Sequence, residues 1–394
     1  MNSIKQKGLD LYQKKILLRL DLNVPLDNGK IVDTNRIDKV LPTIKFLLKE
    51  NSNIIVISHI GRPKGKVDSK LSLKPICENL ASKLNVSVQL INKNILQLNI
   101  NEILESFQTN KILVLENIRF YKEEENNDEN FAKHLAKLGD IYVNDAFSCS
   151  HRKHSSVSCI TKFIPSYCGL QMELEINSLK KITESIQKPI TCIIGGSKIS
   201  TKINIIKNLI ISFDNIIFVG GMANTILNYK NYKVGKSIQE ENSKKIVAEI
   251  FELSLKNNCK IYYPIDVCVG KKLNDISTIK NIDNVSDDEL ILDIGPKTIN
   301  LIENIIENSK TILWNGPAGY FENKHFAQGS EKIAKKISEE NKLKKSFSVA
   351  GGGDTVAVIN SFGLIDNFNF VSTAGGAFLE FLEGKELPGI KALN

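Results

Sequence analysis

The sequence predicts an α/β protein of two domains, each a parallel sheet flanked by helices, joined by an interdomain helix. Three observations carry this. Apolar, β-branched runs of strand length alternate with segments of helical period, the pattern that builds parallel sheets with helices on both faces. The runs lie at 16–20, 53–58, 86–91, 112–115, 141–143, 190–194, 215–219, 261–267, 290–294, 311–314 and 347–350, too many for one ordinary open sheet. The residues that end these runs also change chemistry near position 170, from arginine, histidine, aspartate and asparagine to glycine clusters and lysine.

In chain order, KILLRL supplies the first strand and is followed by a helical stripe of Ile37, Val40, Leu41, Ile44, Leu47 and Leu48, whose other faces are Lys, Asp, Thr and Glu. NIIVIS and KILVL continue the first sheet. The polar stretch YKEEENNDEN, 121–130, reads as a solvated turn leading into a helix. GLQMELEINSLKKITESI, 169–186, has helical apolar spacing and separates the last histidine cluster from the first glycine–lysine cluster, so it is the expected interdomain helix. The first domain then covers 1–168 and the second begins at 169. Ligands of open parallel sheets bind beyond the carboxyl ends of the strands, which is where the polar end points fall.

Composition narrows the function. With 42% hydrophobic and 24% charged residues, the 394-residue chain is an ordinary globular mix. Its net charge of +8 comes from dispersed lysines, which read as a solvated surface that favours encounter with phosphorylated metabolites. No aromatic-and-basic cluster or recognition helix supports nucleic-acid binding. Seven cysteines without a CxxC read as reduced thiols. The first residues lack a signal-peptide core, and no apolar run reaches membrane-spanning length. A cytoplasmic protein is expected.

The motifs divide in the same way. RLDLNVP sets Arg19, Asp21 and Asn23 at period two, with Leu20, Leu22 and Val24 on the other face. SHIGRPKG puts His59 and Arg62 on a Gly/Pro turn, and Arg36, Arg119 and Arg152 lie at comparable positions. One arginine is usually a surface residue. Five at strand ends or in loops suit bidentate recognition of phosphate or carboxylate. HRKH, 151–154, is a poor metal site, because Arg152 and Lys153 bring repelling charge between the histidines. GGSKISTK, 195–202, joins a strand to a helix, where backbone N–H groups favour phosphate, with Lys198 and Lys202 on one side of that helix. VGKS at 234–237 approaches a Walker loop, but Lys230 stands where its first glycine belongs, and it reads as a turn. GGGDT, 351–355, taken alone is a tight turn with a helix cap; Asp354 there is also the natural Mg²⁺ ligand candidate. The chain has no GxGxxG, which counts against a dinucleotide-binding dehydrogenase.

Taken together and in order, RLDLNVP, SHIGRPKG, LENIRFY, VNDAF before HRKH, GGSKISTK, GGMANT, DIGP, WNGPAGYFE, GGGDT and LEFLEGKELPG resemble the phosphoglycerate kinase family nearly end to end. The resemblance implies two Rossmann-like domains, 3-phosphoglycerate on the first and magnesium-nucleotide on the second. It implies that Asp21, Asn23, Arg36, His59, Arg62, Arg119 and Arg152 bind the triose acid. Lys198, Lys202, Gly295, Asn315, Glu322, Gly351, Gly352, Gly353, Asp354 and Thr355 would serve the nucleotide, with Glu322 on the ribose and Asp354 on Mg²⁺. Arg36, Lys198 and Lys202 would stabilise the moving phosphoryl group. The family's C-terminal segment returns to the first domain, so 378–394 would join 1–168 and leave 169–377 as the second. The implied reaction is reversible transfer of the acyl phosphate of 1,3-bisphosphoglycerate to ADP, giving 3-phosphoglycerate and ATP. It would run in line after hinge closure, in a monomer with no membrane or nucleic-acid partner.

The chain departs from the family in a few places. It has STAGGAF at 372–378 where the family usually shows STGGGAS, Phe370 where histidine is common, and Lys153 where alanine is common. Ala374 would remove backbone freedom at a phosphate-approaching turn. Phe370 and Phe378 would add aromatic bulk near the return to the first domain and alter closure, and Lys153 would strengthen anion attraction.

Overall fold

Near-continuous apolar runs belong to sheets covered on both faces, and five of them, with one shorter strand, build the first sheet. The structure is a computed structural model describing residues 1–394. Its contacts divide it into two units, Met1–Ile176 with Glu386–Asn394, and Asn177–Lys385. The strands of the first unit are β1 (Lys15–Leu20), a small hairpin β2 (Leu26–Asp27) and β3 (Lys30–Ile31), β4 (Asn53–Ile57), β5 (Val88–Ile91), β6 (Ile112–Leu115), β7 (Ile141–Asp145) and β8 (Ser166–Cys168). The sheet runs β5-β6-β4-β1-β7-β8, parallel throughout. Helices α1 (Asn35–Lys49), α2 (Lys74–Leu84), α3 (Ile100–Ser106), α4 (Lys122–Glu125) and α5 (Glu129–Ala136) fill the connections. Alternation along the strands feeds two cores. Leu18 and Val56 pack with Ile37, Ile44 and Ile76, while Leu17 and Ile55 pack with Phe131 and Leu135.

The chain passes to the second unit within α6 (Leu170–Thr183). There β9 (Ile190–Ile194), α7 (Ile203–Ser212), β10 (Asn215–Phe218), α8 (Gly220–Tyr229), α9 (Lys244–Lys256) and β11 (Lys260–Tyr262) are followed by β12 (Asp266–Gly270), β13 (Thr278–Asn281) and β14 (Leu290–Ile294). These last three make a separate antiparallel sheet. Then come α10 (Pro296–Glu307), β15 (Thr311–Asn315), α11 (Gln328–Lys342), β16 (Phe347–Gly351), α12 (Gly353–Ser361), β17 (Phe370–Ser372), α13 (Gly376–Leu382) and, back in the first unit, α14 (Pro388–Lys391). The large sheet runs β11-β10-β9-β15-β16-β17, all parallel. Counted within the sheet this is the doubly wound order 3-2-1-4-5-6, whose direction of winding reverses between β9 and β15.

Several expectations need correction. The run 261–267 is two strands in different sheets, broken around Pro264, which has no N–H for a ladder. β8 and β17 are too short to have stood out as apolar runs, and β13, TIKN, is polar and mostly exposed. The units divide at 176 and 385, where the sequence reading had 168 and 377. The first turns of α6 go with the first unit because Asp145 caps them, accepting from Met172 N at 2.8 Å, and Leu170 N donates to Thr43 Oγ1 at 3.2 Å. α13 stays with the second unit because Asn208 Nδ2 of α7 donates to Leu382 O at 2.7 Å. α14 docks on the first unit through Gly389 N, which donates to Ser150 O at 2.8 Å.

Phe378 is fully buried inside the second unit, with its ring 2.6 Å from where a Cβ on Gly351 would stand. It is therefore not bulk at the return. Ala374 does not have a positive φ; the left-handed residue of that turn is Gly375, at φ 55°, so alanine meets no left-handed strain there. Replacing Phe378→Ser leaves a large hole over Gly351, and the expected loss is about 3–5 kcal/mol. Denaturant unfolding checks this, and a loss under about 1 kcal/mol would show that the ring is not packed as described.

Candidate active site

In the first unit the polar residues gather beyond the carboxyl ends of β1, β4, β6 and β7. β1 stops at Leu20, so Asp21 and Asn23 lie in a loop and not, as expected, on one strand face with Arg19. Asp21 is a clamp: its Oδ2 accepts from Arg36 Nη1 at 2.6 Å and from Ser148 Oγ at 2.6 Å. Arg36 sits in the first turn of α1, so β1, α1 and the loop after β7 are tied by one carboxylate. Asn23 Oδ1 accepts from Gly61 N at 2.9 Å, and Gly61 O accepts from Arg119 Nη1 at 2.9 Å. A single residue, Gly61, thus joins the loops after β1, β4 and β6 through its N–H and its carbonyl. Arg62 follows it, exposed, and Arg152 is half-buried beyond β7.

The two buried histidines here are not cations. Burial, then Arg19, Arg119, Arg36 and His154, holds His59 well below the usual imidazole range. His154 is pushed down to about 3 by burial and by Arg119, Arg19 and Arg152. Both stay neutral among the guanidinium charges; His59 Nδ1 lies within hydrogen-bonding distance of Arg19, while His154 Nδ1 has no hydrogen-bond partner. Lys153 does not join them. It is exposed and lines a different hollow with Lys162 and Lys391.

In the second unit the loops after β9 and β15 meet at the switch point in backbone contact. A Cβ on Gly316, at φ 114°, would fall 2.5 Å from the Gly195 carbonyl, so only glycine fits. Asn315 Nδ2 donates to Gly351 O at 2.6 Å, and its Oδ1 accepts from Lys202 Nζ at 2.5 Å. Lys202 Nζ also donates to Gly195 O at 2.7 Å. The lysine is therefore held across the ends of β9, β15 and β16, and burial lowers it to about 8, with Cys192 and Asp354 pulling the other way. Lys198 differs from expectation. α7 begins only at Ile203, after a 3₁₀ turn Ser200–Lys202, so the two lysines do not share an α-helix, and Lys198 is exposed.

A cavity of about 310 Å³ adjoins this switch point, lined among others by Gly196, Gly221, Tyr320, Phe321, Glu322 and Asp354. Glu322 and Asp354 thus line the same cavity. Gly352, at φ 99°, lies against Asn315, and Gly353 faces open space at the start of α12. Thr355 Oγ1 is occupied in accepting from Gly316 N at 2.7 Å. Gly295 does not line the cavity; its Cα abuts the Asp266 carboxylate, which caps α10 through Lys297 N and Thr298 N. Asp354, an exposed carboxylate on the first turn of α12, suits a Mg²⁺ ion that takes its remaining ligands from phosphate oxygens and water.

Sequence reasoning passed over Ser148, Ser156 and Glu124. Glu124 falls in the stretch read as solvated, yet it is completely buried, accepting from Ser156 N at 2.8 Å and Ser156 Oγ at 2.6 Å. Nothing in a run of glutamates marks the one that turns inward.

Comparison with known proteins places the chain among relatives of one family. The family model described as phosphoglycerate kinase matches residues 6–385. A phosphoglycerate kinase of Wolbachia pipientis subsp. Culex pipiens is 46% identical over 389 residues, covering 98% of this chain and 98% of the relative. One from Dictyoglomus turgidum is 44% identical over 387 residues, covering 98% and 96%. The structure of phosphoglycerate kinase from Coxiella burnetii superposes with a TM-score of 0.89 at 38% identity, covering 98% of this chain and 97% of that one. That from Pyrococcus horikoshii OT3 superposes at 0.81 and 27%, covering 100% and 98%.

The depressed Lys202 has a pH consequence. In the unfolded chain it titrates near 10.5 and in the folded chain near 8, so between these values the unfolded state binds more protons and folding stability rises with pH. A bound phosphate reverses the penalty by drawing the proton back. Nucleotide affinity is therefore expected to weaken as pH rises through about 8, by up to about tenfold per unit, with proton uptake visible by calorimetry. Lys202→Met should bind weakly at pH 7 and lose this dependence; an unchanged pH profile would show that Lys202 does not meet the phosphates.

Proposed function

The chain belongs to the phosphoglycerate kinase family and catalyses that family's glycolytic reaction, reversible transfer of the acyl phosphate of 1,3-bisphosphoglycerate to ADP. From that premise we propose that its first unit holds the three-carbon acid and its second the magnesium-nucleotide. One observation carries the division. All five arginines of the chain, Arg19, Arg36, Arg62, Arg119 and Arg152, belong to the first unit, whereas the second offers lysines and a glycine-lined cavity. Forked guanidinium groups suit a small, doubly anionic acid. Glycines and helix starts suit a phosphate chain approached by backbone.

The chemistry needs no general base. The acceptor is an ADP phosphate oxygen in one direction and an ionised carboxylate in the other, and neither has a proton to lose. What remains is alignment and stabilisation of the charge on the moving group. Arg36, steered by Asp21, and Lys202, steered by Asn315 and the Gly195 carbonyl, are the residues in place for this, with the exposed Lys198 as a third cation. Mg²⁺, held by Asp354 and the nucleotide, supplies further neutralisation of the phosphates when bound. With acid and nucleotide on separate units, transfer requires the units to close, and closure excludes water. Seven free, buried thiols support a reducing, cytoplasmic setting, and a monomer is part of the same reading. No helix is long and apolar enough to cross a membrane.

A coupled assay with 3-phosphoglycerate, Mg²⁺ and ATP tests the roles. Arg36→Ala and Lys202→Ala should each lower kcat by about 10²–10³-fold, the usual cost of removing one charge-stabilising donor. Asp21→Asn should instead raise KM for 3-phosphoglycerate and leave KM for ATP unchanged. If Arg36→Ala altered only KM for ATP, the assignment of acid and nucleotide to the two units would be reversed.

A further inference from the structure

Arg19 is completely buried and stands outside the group of residues assigned above to the substrate acid. Each end of its guanidinium is nevertheless engaged. Nε donates to Ser156 Oγ at 3.1 Å, Nη1 to Leu20 O at 2.6 Å, and Nη2 lies 3.2 Å from His59 Nδ1. Ser156 Oγ in turn donates to the buried Glu124 carboxylate at 2.6 Å, which supplies the opposing charge. A hydroxyl has one proton to give, so with that proton on Glu124 it can only accept from Arg19, and the direction of every bond in the chain is determined.

A guanidinium donates and never accepts. His59 Nδ1 has two neighbours, the donor-only Arg19 Nη2 at 3.2 Å and the weaker, longer contact with Cys149 Sγ at 4.0 Å; the shorter one sets its lone pair toward Arg19, and in the neutral ring the proton is on Nε2. We infer that Arg19 is a positioning residue for the reaction, locking His59 as the Nε2–H tautomer so that the ring offers the substrate acid a hydrogen-bond donor and no acceptor. This rests on the reading above that His59 meets the three-carbon acid. The opposite tautomer would present a lone pair to an anion and repel it. A neutral donor also binds without adding another cation to a pocket crowded with Arg36, Arg119 and Arg152. Lysine, with a single nitrogen, cannot reach Ser156, Leu20 and His59 from one position, so the requirement is for arginine specifically.

The test is ring-nitrogen NMR on the full chain at pH 7, with the His59 signals identified by their loss in His59→Gln, read beside steady-state kinetics. The parent should show a protonated Nε2 and an unprotonated Nδ1. Arg19→Lys should give a mixture of tautomers and raise KM for 3-phosphoglycerate about tenfold, the scale of one lost hydrogen bond to a charged group, with KM for ATP unchanged. Ser156→Ala, which frees Nε of Arg19, should shift both readouts the same way by less. A parent protonated on Nδ1 overturns the proposal even if Arg19→Lys does not fold. So does a folded Arg19→Lys that keeps the parent tautomer and KM. A changed tautomer with an unchanged KM for 3-phosphoglycerate would instead sink the reading of His59 as a substrate ligand, and with it the role of Arg19 in the reaction.

Discussion

The polar cluster of the first unit depends on keeping a guanidinium charge in a place with no water. Arg19 and Glu124 are both at 0% exposure, and leaving either uncompensated would cost several kcal/mol. Their attraction is mediated by Ser156, so three segments distant in sequence must come together before any of them is tolerable. α4 turns its third residue inward, the π-helical turn Ser155–Cys159 brings the hydroxyl and amide of Ser156 to that carboxylate, and Tyr142 donates to Ser156 O at 2.5 Å from β7. His154 and Arg119 are carried on the same segments. The cluster is thus set by a buried electrostatic requirement as much as by apolar packing.

The second unit solves a related problem with backbone. At the switch point between β9 and β15, glycines let peptides touch, and the side chains of Asn315 and Thr355 satisfy the groups that this exposes. Lys202 brings a buried charge there, partly desolvated before any ligand arrives. The contrast with the first unit follows from the ligands proposed for each. A small acid with two anionic ends is recognised by direction, which arginine forks provide. A phosphate chain is recognised by a row of N–H groups and one or two point charges.

Much of the fold was legible. Runs such as KILLRL, TCII and TILWN are apolar on both faces, and a strand buried on both sides has few other choices. What escaped was whatever depends on a partner far along the chain. Glu124 is indistinguishable in composition from Glu123 and Glu125 on either side. Gly295 reads like the other glycines that follow strands, yet the space a side chain would need there is filled by the Asp266 carboxylate. Lys198 and Lys202 have helical spacing, but the helix starts one residue after the second of them.

By itself the sequence determined the alternation of strands and helices, the separation of arginine from glycine-and-lysine chemistry, and the family, because these depend on local pattern and motif order. The tertiary structure decided which polar residues are partners and which proton each one holds. Asp21 joins Arg36 and Ser148 across 15 and 127 residues, and Arg19 reaches Ser156 across 137. The physical reason is that a hydrogen bond is specified by distance and direction to within fractions of an ångström, whereas residue patterning specifies only which face of an element is buried.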